Sequence, residues 1–215
     1  MLTRFVCLAN SYKEGERCIA GIELDNKNNP ICENGNPKWI RPICNTEHGK
    51  VHTYLVSHIN ILDIIEMEIT GYPEKNYQSE NAFFNEDSIK VVGKYNKDNL
   101  INLCDSRDLI LGNRGKAVSE EAIKNLAYSL MLIKTNSFQI IEKVYDDNPE
   151  RKQLRLAFTY KSNKYNLPIT DPTFINKYKS NRDFIEGINE IFVSISLGVS
   201  HEDWYYKLVA GVLLN

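Results

Sequence analysis

Apolar residues recur along this chain mostly at every second position, the period of a strand with one buried face. Residues 2–9 are apolar on both faces and predict a first strand covered on both sides. A loop over 10–16 follows; residues 17–24 then alternate Cys18, Ala20, Ile22 and Leu24 with Arg17, Ile19, Gly21 and Glu23, and should pair with the first strand. Residues 25–37, rich in Asn, Gly and Pro, predict an exposed loop. The stretch KWIRPIC over 38–44 is a third strand, which Pro42 marks as edge or bulged. Val51, Leu55 and Ile59 repeat every four residues and predict a helix. Residues 61–70 and 88–95 predict the fourth and fifth strands, with a long polar and aromatic loop over 71–87 between them.

A mixed polar stretch over 96–118 leads to Ser119, which with Glu120 and Glu121 predicts a short, capped helix start. Residues 129–135 and 138–145 alternate as strands. A hairpin follows: Leu154, Leu156, Phe158 and Tyr160 on one arm, a polar turn at Ser162 and Asn163, then Tyr165, Leu167 and Ile169 on the other. Asp171 can accept the free N–H groups of a first helical turn, and Pro172 occupies an early position where a missing N–H costs little. Strands over 191–197 and 205–214 end the chain. Both halves therefore read strand, strand, strand, helix, strand, strand. That is the order of the oligonucleotide/oligosaccharide-binding (OB) fold, whose ligand surface lies on strands two and three and on the loops joining strands one to two and four to five. The expected fold is mainly β with minor α: two OB-like five-stranded barrels in tandem, over 1–95 and 129–215, joined by a connector over 96–128.

Composition changes this picture little. Of 215 residues 42% are apolar and 25% charged, as in an ordinary soluble protein. No apolar run approaches the roughly 18 residues that span a bilayer, and no export leader is visible, so a cytoplasmic location away from membranes is expected. Five cysteines, an odd number with no C-x-x-C pair, point to reduced thiols. Charge changes it more. Residues 151–182 hold eight basic residues and one acid, a formal +7, while the rest of the chain, with 18 basic and 27 acidic residues, carries −9. The basic pole falls on the hairpin.

The runs RFVCLANSYKEGERCIAGIEL and KWIRPI, with FTYKSNKYNLPITDP, IFVSISLG and YYKLVAGVLL, resemble the bacterial dual OB domain-containing proteins. The resemblance covers both ends and most of the chain, the YNLPITDP and SLG…YKLVAG blocks being its more specific parts. It implies a pair of barrels and a nucleic-acid-binding role, and brings no reaction with it.

On the second barrel, alternation places Arg151, Gln153, Arg155, Thr159 and Lys161 outward, with Lys164 on the returning arm, and turns Phe158, Tyr160 and Tyr165 into the core. The loop over 198–204 offers His201 and Trp204. On the first barrel the corresponding surface has Tyr12, Lys13, Arg17, Lys38, Trp39 and Arg41. Guanidinium, ammonium and ring faces together suit a single strand. Cys44, His48, His52 and His58 have partial zinc spacing, but Gly49 weakens the helix that would align them, so no metal or other cofactor is expected. Residues 112–116 (GNRGK) lack the spacer and the Ser/Thr of a phosphate cradle. Asp105 and Asp108 have no third acid or histidine nearby in sequence, and no nucleophile signature is present. The reading is a non-catalytic binder of single-stranded DNA or RNA; the alternatives are a protein-interaction adaptor and, less favoured, an enzyme whose site is assembled from distant residues.

Overall fold

The computed structural model describes residues 1–74, 76–145 and 148–214, without the side chains of 148, 149 and 151. Strand β1 (Leu2–Lys13) is apolar on both faces because it separates two apolar layers. Phe5 and Cys7 enter the core of the first barrel, while Val6 and Leu8 enter a layer shared with the second. It pairs antiparallel with β2 (Glu16–Glu23). The loop beyond holds a small ladder of β3 (Cys32–Glu33) with β4 (Asn36–Pro37), and β5 (Trp39–Ile43) then pairs with β2.

The helix predicted from Val51 shrinks to one turn, α1 (Thr53–Val56). Val51 instead exchanges backbone hydrogen bonds with Arg17, and His48 and Gly49 before it have positive φ. Next come β6 (Asp63–Gly71), β7 (Asn81–Phe84) and β8 (Lys90–Lys94). Here the expected fifth strand is corrected. The barrel-closing strand is β7, inside the stretch expected to be a loop; it runs parallel to β5 and antiparallel to β6. Residues 88–95 supply β8, an exposed sixth strand laid on the outside of β6. Four residues, three of them buried, are too few to display an alternating pattern. The ladder from Leu2↔Glu68 to Val6↔Ile64 closes β6 onto β1.

The second half begins with β9 (Ala117–Ser119) and α2 (Glu120–Ile123), whose first turn Ser119 caps by accepting from the Ala122 N–H. Strands β10 (Leu130–Thr135) and β11 (Phe138–Tyr145) act as one bent first strand. The first piece pairs with β14 (Ile191–His201), the second with β12 (Asn148–Tyr160), and β12 pairs with β13 (Asn163–Pro168). Helix α3 (Pro172–Ser180) opens as predicted: Asp171 accepts from the Phe174 N–H at 3.1 Å, and its other oxygen accepts from Val212 N–H at 3.1 Å. Strand β15 (Trp204–Leu214) pairs with β14 and with β9. A parallel bridge, Ile169↔Val209, with the Thr170 N–H donating to the Val209 carbonyl at 2.8 Å, joins the two sheets. As the alternation predicted, Leu154, Leu156, Phe158, Tyr160 and Tyr165 are core residues.

Val6, Leu8, Ile22, Leu24 and Ile64 of the first barrel meet Leu132, Phe192 and Leu213 of the second, with Tyr95, Leu100 and Leu103 of the linking segment between them. The backbones of β1 and β15 come so close that a Cβ on Gly211 would stand 2.3 Å from the Leu8 carbonyl oxygen. Among the described residues no helix is long and apolar enough to cross a membrane.

Candidate functional site

The same alternation that buries Leu154, Leu156 and Phe158 turns the other face of β11, β12 and β13 outward. Cross-strand register sets Lys143 opposite Gln153, and Ile141 opposite Arg155, which in turn lies opposite Pro168. With Tyr145, Asn166, and Tyr206 and Leu208 of β15, these residues line a groove of about 660 Å³. Lys116 completes its cationic lining, and no carboxylate lines it among the described residues.

Arg155 is held flat on the sheet by neutral groups. Its Nε donates to Asn166 Oδ1 at 2.7 Å, one terminal nitrogen to Gln153 Oε1 at 2.7 Å and the other to the Asn166 carbonyl at 2.6 Å. Burial pulls its pKa down from the ordinary value, yet a guanidinium stays charged at neutral pH. Among the described residues this fork is therefore oriented without being neutralised. The Tyr145 hydroxyl lies 3.2 Å from Gln153 Oε1, and Lys143 Nζ stands 4.6 Å from the Tyr145 ring. At the other end Lys116 Nζ and the His201 ring lie 5.9 and 6.3 Å from the Tyr206 ring. Trp204, 47% exposed, crowns the adjoining β14–β15 hairpin.

Lys207 underlies the groove. It is fully buried, and its Nζ donates to the Ile110 carbonyl at 2.5 Å, the Asn113 carbonyl at 2.7 Å and Asn113 Oδ1 at 2.9 Å. With no carboxylate among these partners, burial pushes its pKa down to about 7. Asn113 Oδ1 also accepts from the Gly115 N–H, so within the GNRGK loop it is Asn113 that turns its polar groups toward the protein.

Several sequence candidates lie elsewhere. Arg41, expected on the outer surface, is 1% exposed: it pairs with Glu80 at 3.0 Å and donates to Asn81 and Ser129, bracing the junction of the barrels. Lys161 does not share the groove with Arg155. It has φ of 43° in the β12–β13 turn, which takes it off the strand alternation, and its ammonium binds Asp108 at 2.9 Å and the Ser106 carbonyl. Lys164 is exposed on β13 near the same end, opposite Thr159. Lys38 pairs with Glu23 at 2.8 Å, and Trp39 is half-buried against the inter-barrel layer. Tyr12 and Lys13 line a separate cleft between the barrels, where Arg17 stacks 4.9 Å from the Tyr12 ring centre. The side chain of Arg151 lies outside the described residues.

His52 meets Glu16 and stacks on Tyr54, while His48 faces Glu14 and Glu47. Among the described residues no three His, Cys, Asp or Glu side chains form a set that could hold a metal ion. Asp105 is taken up by Arg107 at 2.6 Å. The sequence reading missed Lys143 and Tyr145, which the alternation of β11 would have found. It also missed Lys116, Tyr206 and Lys207, which reach the groove only through the pairing of β15.

Comparison with curated proteins returned no match. Among solved structures, a murine DNA-binding protein bound to double-stranded DNA aligns at 6% identity and TM-score 0.40, covering 100% of this chain and 96% of that one. A replication protein A heterotrimer bound to single-stranded DNA aligns at 8% identity and TM-score 0.36, over 100% of this chain and 48% of that one. A structure described as the molecular basis for abrogation of activation of pro-inflammatory cytokines aligns at 10% identity and TM-score 0.38, over 100% and 92%. Likenesses this distant decide nothing. The dual OB-containing domain model, by contrast, matches residues 3–212, and the chain belongs to that family.

Proposed function

We propose that this chain is a non-catalytic binding protein for single-stranded nucleic acid, which lies along the outer face of β11, β12 and β13. The observation that carries the reading is the oriented, unneutralised Arg155 fork beside Lys143 and Lys116, in a groove with no carboxylate among its described lining residues. Phosphates supply the charge those cations lack. Tyr145 and Tyr206 add ring faces that accept unpaired bases in any sequence, whereas among the described residues no helix lines the groove as a major-groove reader would. The groove's chemistry is that of holding, with amides, cations and rings.

The test is fluorescence anisotropy of a labelled oligonucleotide over a salt series, with wild type and the double variant Lys143→Glu/Arg155→Glu. Single strands should bind more tightly than duplex. The double variant should bind more weakly, with a log–log salt slope shallower by about 1.4, two contacts at ~0.7 each. Absence of binding at low salt, or indifference to the reversals, would refute the proposal. The protein-adaptor reading would then lead, because β8 is an exposed end strand bearing Val91 and Val92, a template for strand addition by a partner.

A further inference from the structure

We propose that the cleft between the two barrels receives one unpaired nucleobase from a strand lying in the second-barrel groove; this rests on the reading above. The cleft, about 270 Å³, is lined by Tyr12 and Arg41 of the first barrel, Gln78 from the segment before β7, and Leu197, Tyr206 and Leu208 of the second. Tyr206 and Leu208 also line the groove. The two spaces thus meet along β15, and a strand following the groove arrives at the cleft.

Size, walls and floor select the occupant. The volume falls below the roughly 300–1,000 Å³ of most small-ligand pockets, so the cleft suits one heterocycle and not a base pair. The walls combine Leu197 and Leu208 with the rings of Tyr12 and Tyr206, which match the faces of a base. Arg41 forms the floor of the cleft, 1% exposed and held by Asn81, Ser129 and Glu80.

Other occupants fit less well. Glu80 already balances the Arg41 charge at 3.0 Å, and Glu14 also lines the cleft, so a free anion gains little there. An aliphatic side chain would leave the ring faces of Tyr12 and Tyr206 without a planar partner. The consequence is a second selection against duplex: the groove holds the backbone, and the cleft admits a base only when it is unpaired.

The experiment compares two labelled oligomers of equal length, one of thymidylates and one of abasic residues carrying the same phosphates, by anisotropy at low salt. Gly198 lines the cleft, has no positive φ, and a Cβ on it would stand 3.5 Å from Leu208 Cδ1, so Gly198→Met can fold while filling the space. Gly198→Met should weaken thymidylate binding about tenfold, the scale of one lost stacking contact, and leave the abasic oligomer unchanged. Tyr12→Ala, at a half-exposed wall position, should act in the same direction and serves if Gly198→Met does not fold. Equal effects on both oligomers, or none on either, overturn the base-insertion inference while the groove reading stands. Failure of wild type to bind the thymidylate oligomer overturns both.

Discussion

The two barrels share a strand order and use it differently. In the first, a ladder from Leu2↔Glu68 to Val6↔Ile64 closes the wall, and Lys38 and Arg41 are neutralised by Glu23 and Glu80. In the second, the first strand is bent between β10 and β11, and among the described residues an isolated bridge at Ile169↔Val209 joins the sheets. There Arg155 is held by neutral acceptors and faces open space. The difference teaches that the partner of a cation, more than its presence, marks a binding surface. Lys161 and Arg155 lie on one basic hairpin, yet among the described residues a carboxylate pairs with the former and not with the latter.

The harshest way to break the comparison is to separate the barrels. Gly211→Val would drive a Cβ to within 2.3 Å of the Leu8 carbonyl oxygen. The cost should lie at or beyond the top of the ~1–3 kcal/mol range for overpacking, read from urea denaturation. Stability unchanged from wild type would mean the barrels are not rigidly docked through β1 and β15.

A gentler test concerns the hairpin tip. Trp204→Ala should cost roughly 1–3 kcal/mol of oligonucleotide affinity if the ring stacks on a base, with the melting temperature unmoved. Unchanged affinity would confine the site to the sheet face.

Lys207 sharpens the contrast through pH. Its folded pKa of about 7 lies below the ordinary lysine value near 10.5. Across that window the unfolded state binds more protons, so its contribution to stability rises with pH, by at most about 1.4 kcal/mol per unit. Below about pH 7 both states are protonated and the dependence vanishes. Denaturation of wild type and Lys207→Met from pH 7 to 10 should show wild type gaining relative to the variant; a flat difference would place the ammonium in balance with its three oxygen acceptors.

The smallest effect is expected at Lys161. Its pair with Asp108 is exposed, so Lys161→Ala should change stability by less than about 1 kcal/mol and oligonucleotide affinity less than reversal of Arg155 does. An affinity loss matching that of Arg155 would extend the site along the whole hairpin.

Local pattern determined much of this molecule. A period of two marked β2, β12 and β13 and the burial of Leu154, Leu156 and Phe158, an unbroken apolar run marked β1, and the Asp171–Pro172 helix start was legible because its signal lies within four residues. The resemblance to the dual OB family rested on such runs as well. Tertiary structure alone decided what those elements do. Strand β7 is too short to carry a period and exists because β5 and β6 offer it hydrogen bonds. Arg41 and Arg155 are both arginines on strands in the sequence; Glu80, 39 positions along the chain, buries one, and neutral neighbours across the sheet leave the other charged and open. The groove joins Lys116, Tyr145, Arg155 and Tyr206 from four separate segments, because burying apolar faces fixes which strands meet, and that pairing is set by the whole chain and written in no local stretch of it.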